Sequence, residues 1–314
     1  MKKSLLLIVC LLNLTCLCGQ TFREWTLNEA LQSSQFTLYS GVYREPWPHF
    51  SPWHLKKVKA LDNACLRVTY DADLVVDTLG VRKYAKDRVV VLVGERIIHS
   101  FGYYFWCQSM QNTVSIDEAI EYGRSMDYKD IINWFVYRDL KEKRVANYHA
   151  LPLKKDYAIV YEEDQPTFNW EIRDETLQIL GYLCQKAETS YAGRNWTVWF
   201  CPEIPVDCGL WKFAGLPGLI MKAEDEELYY SFSCIGIERT EESIDIPIGI
   251  TLQRLKRDVF RRVEREHYSS PIQNSDREKG YMIGSHIGRN NGANDYSIFT
   301  PDNYMHPYFP MEVE

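Results

Sequence analysis

The 314 residues hold no HExxH helix, no Gly-x-Ser-x-Gly elbow, no phosphate-cradling loop and no dinucleotide fingerprint. Enzymes defined by those motifs leave no signature here, although a triad of residues distant in sequence stays open. A basic excess is missing too: 36 Lys+Arg stand against 43 Asp+Glu, a net charge of −7. Nucleic-acid binding, which needs a clustered basic surface to neutralise phosphates, is not expected. There is no CxxC pair, and the seven histidines (His49, His54, His99, His149, His267, His286 and His306) form no ligand spacing, so neither a metal nor a cofactor is expected. After the first twenty residues no apolar run approaches the roughly 20 residues needed to cross a bilayer.

What is present describes a folded, exported chain. Hydrophobic residues make up 46% and aromatic residues 14%, which excludes disorder as the overall state. Lys2 and Lys3 precede an apolar stretch from Ser4 to Leu17 that ends at Cys18, Gly19 and Gln20. This has the form of a secretory leader, residues 1–19, cleaved after Gly19. Cys16 and Cys18 raise the alternative of a lipid-anchored cysteine, for which Thr15 and Leu17 are poor preceding residues. Without the leader the balance is 34 against 43, or −9. Export leads to periplasmic, outer-membrane-associated or secreted protein.

Six cysteines remain after the leader: Cys65, Cys107, Cys184, Cys201, Cys208 and Cys234. An even set in an exported chain reads as disulfides, and six cysteines allow 15 pairings. The expected pair is Cys201 with Cys208, whose short loop would contribute about 2–3 kcal/mol in the chain-entropy model.

The pattern along the chain is mainly β, an α+β arrangement with a curved antiparallel sheet forming a half-barrel or sandwich. An extension, residues 20–60, leads into a β-rich domain over 61–268. Ala64 to Asp77 and Arg88 to Trp106 read as strands joined at Gly94-Glu95-Arg96. Ile116, Ala119, Ile120, Tyr122, Ile131, Ile132, Phe135 and Val136 give a helical insertion at about 115–140. Strands resume at Tyr148, Tyr157 and Phe168. Leu177 to Leu183 and Trp196 to Phe200 form a long hairpin turning at Ala192-Gly193. In Leu216-Pro217-Gly218-Leu219 a type II turn is expected, with Gly218 at positive φ. A further strand covers Leu228 to Ile237. Leu252, Leu255, Val259 and Val263 form the apolar stripe of one C-terminal amphipathic helix, whose arginine face reads as solvated. Residues 269–300 read as a mobile loop, and 301–314 as an edge segment.

The residue words from Trp170-Glu171-Ile172 through Gly181-Tyr182-Leu183-Cys184-Gln185-Lys186-Ala187, Gly193-Arg194, Val198-Trp199-Phe200 and Glu203-Ile204-Pro205 lead to an unbroken Gly215-Leu216-Pro217-Gly218-Leu219-Ile220. In that order they resemble the GLPGLI family of exported Bacteroidetes proteins, with likeness from about Cys65 to the C-terminus. The resemblance implies a β-rich fold and brings no established reaction, cofactor or substrate. Cys201, Cys208 and Leu210 depart from the family's usual residues.

Three polar residues interrupt apolar strand words: Lys186, Arg194 and Lys212. They either point outward or, for Lys186 and Arg194, converge with Asp225 on one sheet face as an ion-pair cluster or anion site. These four, with Trp199, are the candidate binding residues. The leading expectation is a non-enzymatic binding or carrier module with an apolar ligand or peptide on a concave aromatic face. A second is an envelope scaffold or assembly partner using an edge strand or the Gly215–Ile220 turn. A hydrolase is the third.

Overall fold

A computed structural model of the chain describes residues 57–78, 81–109, 132–151, 157–269 and 311–312. The leader with Cys16 and Cys18, residues 20–56, the insertion from 110 to 131, residues 270–310 and the last two residues lie outside the described residues.

Among the described residues thirteen strands form one open sheet. The first six are β1 (Lys57–Thr78), β2 (Val81–Gly94), β3 (Ile97–Gly102), β4 (Trp134–Asp139), β5 (Arg144–Ala150) and β6 (Tyr157–Asp164). They make an antiparallel meander in sequence order. A second meander runs through β7 (Glu171–Ile179), β8 (Tyr182–Tyr191), β9 (Arg194–Cys201), β10 (Leu219–Asp225) and β11 (Tyr230–Arg239). The two are sewn together where β1 pairs with β11, Leu66 opposite Arg239 through Leu74 opposite Tyr230. The start of β1 also pairs with β12 (Ser243–Ile248), and β13 (Thr251–Arg254) lies parallel to β6. Two helices, α1 (Tyr103–Ser109) and α2 (Arg257–Ser269), complete the described elements.

Alternation along the first meander serves two cores. Val89, Val91, Trp134 and Val136 face one apolar cluster; Val90, Leu92, Phe135 and Tyr137 face another, which α1 joins through Tyr103, Tyr104 and Phe105. The first cluster also takes Trp196, Val198, Phe200, Phe213 and Phe232 from the far half of the chain. The sheet therefore curls over a shared interior, and the mainly β expectation holds.

Several local expectations need correction. The stretch around Phe135 and Val136 is strand β4, not helix. A strand buried on both faces has no polar alternation, and its continuous apolar run is indistinguishable from a helix by period alone. The expected long hairpin is two consecutive hairpins. Leu180 and Gly181, at φ +52° and +85°, turn β7 into β8, and Ala192 and Gly193, at +50° and +78°, turn β8 into β9. Positive φ at both central residues matches the twist of the flanking strands. Tyr103 to Trp106 are helical, Leu252 belongs to β13, and Phe168 precedes β7.

Candidate functional site

The segment between β9 and β10, residues 202–218, carries the first four residues of the hexapeptide, whose Leu219 and Ile220 begin β10, and enters the curl of the sheet. Leu210, Trp211, Lys212, Phe213, Ala214, Leu216 and Leu219 are all buried. Side chains of the first meander catch its backbone. Arg138 donates to the Phe213 carbonyl at 3.0 Å and the Asp207 carbonyl at 3.4 Å, and Ser100 Oγ accepts the Trp211 N–H at 2.9 Å. Tyr70 donates to the Ile220 carbonyl at 2.7 Å, and the Trp170 indole donates to the Ala214 carbonyl at 2.8 Å. These bonds satisfy groups that an irregular buried segment would otherwise leave orphaned. Trp211 itself sits at φ +56°, a costly conformation for a bulky residue that its surroundings hold in place.

The expected type II turn is not formed. Gly218 donates its N–H to the Leu216 carbonyl at 2.8 Å, a three-residue turn centred on Pro217. The residue at positive φ is Gly215, +90°. Gly218 is glycine for space: a Cβ there would lie 2.2 Å from the Cys201 carbonyl oxygen. Only Gly215 and Pro217 of the hexapeptide reach the surface.

Lys212 does not point outward. It is 0% exposed, and its ammonium donates to the Tyr161 hydroxyl at 2.6 Å, to Glu163 at 2.5 Å and to Glu312. The charge also lies 4.9 Å and 5.2 Å from the Tyr161 and Trp211 ring centres. Glu312 is held from its other side by Arg257, at 2.8 Å, while Arg261 donates to its backbone carbonyl at 2.8 Å. Burial pushes the Glu312 carboxyl up, yet Lys212 and Arg257 outweigh it and bring it down to about 2. Part of the arginine face of α2 is thus engaged with Glu312 rather than solvated. Met311 and Glu312 dock through side chains and are not strand.

The candidate cluster of Lys186, Arg194 and Asp225 is split. Arg194 and Asp225 form a buried pair at 2.8 Å, and Asp225 also accepts the Tyr230 N–H at 2.7 Å. Burial raises the Asp225 carboxyl despite these partners. The pair ties the β8–β9 turn to the β10–β11 turn. Lys186 instead meets Glu188 at 2.8 Å and Glu175 at 3.7 Å. Trp199, half-buried, stands between Lys186 and Lys222 in register on neighbouring strands.

The expected Cys201–Cys208 disulfide is absent from the structure: Cys65, Cys184, Cys201, Cys208 and Cys234 are all free thiols. The intervening loop is closed by backbone bonds instead. Ile204 N–H donates to the Cys201 carbonyl at 3.2 Å, Cys208 N–H to the Val206 carbonyl at 2.8 Å, and Ile220 N–H to the Cys208 carbonyl at 2.8 Å. Among the described residues no His, Cys, Asp and Glu group is arranged to hold a metal ion. No described helix is long and apolar enough to cross a membrane.

Sequence reading missed the Lys212 cluster because its partners come from distant places: Tyr161 and Glu163 on β6, Arg257 on α2 and Glu312 near the C-terminus. The available signal was a lone lysine between Trp211 and Phe213.

No protein-family model and no curated protein matches the chain. Two solved structures of PNGF-II, in different space groups, are similar at 13% and 14% identity with TM-scores of 0.47 and 0.44. The matches cover 65% and 64% of this chain, which spans about a third of theirs, 34% and 33%.

Proposed function

We propose that the protein is an exported, non-enzymatic interaction module of the GLPGLI type that captures an extended segment of an envelope protein along β7. The observation that carries this reading is the edge itself. Among the described residues β7 is hydrogen-bonded to β8 and ends the sheet on that side, and its nine residues are exposed apart from the last. It presents Ile172 (50% exposed) and Leu177 (37%), with Leu183 (50%) beside it on β8. An edge strand of this length offers unpaired main-chain groups for strand addition, with side-chain contacts setting specificity. Glu171, Asp174 and Glu175 outnumber Arg173 along its first half, so the partner segment should be extended, apolar in alternate positions and basic.

The other docking surface, the Gly215–Ile220 turn, has Leu216, Leu219 and Ile220 buried. The aromatic residues that prompted the reading of a concave ligand face, Trp196, Trp211, Phe213 and Phe168, pack against one another in the interior. Among the described residues two of the histidines are otherwise engaged: His99 is enclosed by Phe101, Trp106 and Tyr137, and His149 is taken up by Glu264 and Phe260.

A photo-crosslinking residue at Leu177 tests the reading in cells. It should yield a discrete adduct with an envelope protein, whereas the same residue at Leu140, exposed on the β4–β5 turn, should not. The adduct should disappear when Ile172→Lys is added. Equal labelling at both positions, or none at Leu177, would remove β7 as the docking strand.

A further inference from the structure

We propose that Cys184 and Cys201 join as a cross-strand disulfide between β8 and β9 in the mature protein. The last recorded pair of these strands at this end is Gln185 opposite Phe200, and the next residues outward are the two cysteines. Directly opposed residues in antiparallel strands stand about 4.5–5.5 Å apart at Cα, inside the roughly 4.4–6.8 Å that a disulfide spans. Both side chains are fully buried, and each thiol perturbs the other's ionisation. Met221 completes the sulfur cluster, 3.5 Å from Cys184. Cys208 lies apart from this contact, its sulfur directed at the Gly209 carbonyl at 3.6 Å.

Thiolate is the attacking form in disulfide exchange. One cysteine of the pair, as thiolate, attacks a small-molecule or protein disulfide and releases half of it as thiol. The other then gives up its proton and displaces the second half from the first sulfur. Two protein thiols become one disulfide, and the donor disulfide becomes two thiols. Because both sulfurs are closed off in the finished sheet, the exchange belongs to folding, before the β8–β9 hairpin is covered.

The full chain refolded from denaturant in oxidised and reduced glutathione gives the test. The soluble folded fraction is alkylated in denaturant without reduction, digested with trypsin and read by mass spectrometry. Trypsin cuts after Lys186 and Arg194 but has no site between Cys201 and Cys208. A Cys184–Cys201 bond therefore joins two peptides, lighter by two hydrogens and separable by reductant, whereas Cys201–Cys208 closes within one. The joined pair is expected, and it should persist in Cys208→Ser. Alkyl label on both Cys184 and Cys201, or a bond from either one to Cys208 or Cys234, would overturn the assignment.

Discussion

His99 is an imidazole sealed among rings: it stacks on Tyr137 at 4.0 Å between centroids and lies 4.5 Å from Phe101. Its Nε2 is buried without a partner among the described residues. Burial lowers its pKa from the ordinary 6.5 to about 3. Below pH 6.5 the unfolded chain takes up a proton that the folded protein refuses, so stability present above pH 6.5 is lost as pH falls toward 3. At 1.36 kcal/mol per unit this linkage amounts to about 5 kcal/mol. Urea unfolding of His99→Phe should show a flatter decline between pH 6.5 and 4 than the parent. Parallel curves would show that His99 is not the acid-sensitive group. Glu312 acts in a lower window. Its carboxyl, held at about 2 against an ordinary 4.5, contributes stability that is present above pH 4.5 and disappears as pH falls to 2, about 3 kcal/mol. Glu312→Gln should remove that acid step and leave the one above it. Lys212→Met should cost about 3–5 kcal/mol, because it takes from the half-buried Glu163 and the buried Glu312 a partner at the centre of their cluster and leaves Arg257 to face both. Adding Glu163→Gln should recover part of the loss in the same urea measurement, since Arg257 then faces Glu312 alone as a one-to-one pair.

Two turn glycines separate backbone strain from steric exclusion. Gly181 has φ +85° with nothing within 4 Å of a built Cβ, whereas Gly218 has an ordinary φ and the Cys201 carbonyl oxygen 2.2 Å away. Gly181→Ala should cost only the left-handed penalty, about 1–2 kcal/mol. Gly218→Ala should cost more, since backbone must move between β9 and β10. Thermal denaturation of the two variants side by side checks the order, and a milder effect at Gly218 would contradict it. The same elements show what the sequence could disclose. Ala192-Gly193 was legible as a turn because glycine follows a short residue between alternating runs. Leu180-Gly181 was hidden because a leucine occupies its first positive-φ position. β4 was hidden by burial on both faces. Lys212 looked like a snorkelling surface lysine because its two carboxylates lie 49 and 100 residues away in the chain, and no local pattern records such a meeting. Arg194 and Asp225, 31 residues apart at the ends of adjoining hairpins, were within reach of a reading that placed both on one sheet.

At the scale of the molecule the two meanders are not separable units. β1 pairs on one side with β2 and on the other with β11, so the first described strand needs residues 230–239 before its hydrogen bonds are complete. Val89 and Val136 from one meander share an apolar cluster with Trp196, Phe213 and Phe232 from the other. The 202–218 segment is held from across the seam by Arg138 and Ser100, and the start of β10 by Tyr70. Opening the β1–β11 seam would expose the cluster from both sides and leave those donors and carbonyls unpaired in one step, which favours a single cooperative transition. Amide exchange followed through urea unfolding should therefore give the same midpoint for β2–β5 as for β8–β10, and tryptophan fluorescence should coincide with both. β7 and the four-residue β13, at the two ends of the sheet, should exchange earlier, because each has one bonded neighbour among the described strands and local opening there breaks fewest contacts. A midpoint for the second meander clearly below that of the first would mean that the seam is the weak line of the molecule. In that case β7 would be presented to its partner by a hinged half rather than by a rigid sheet.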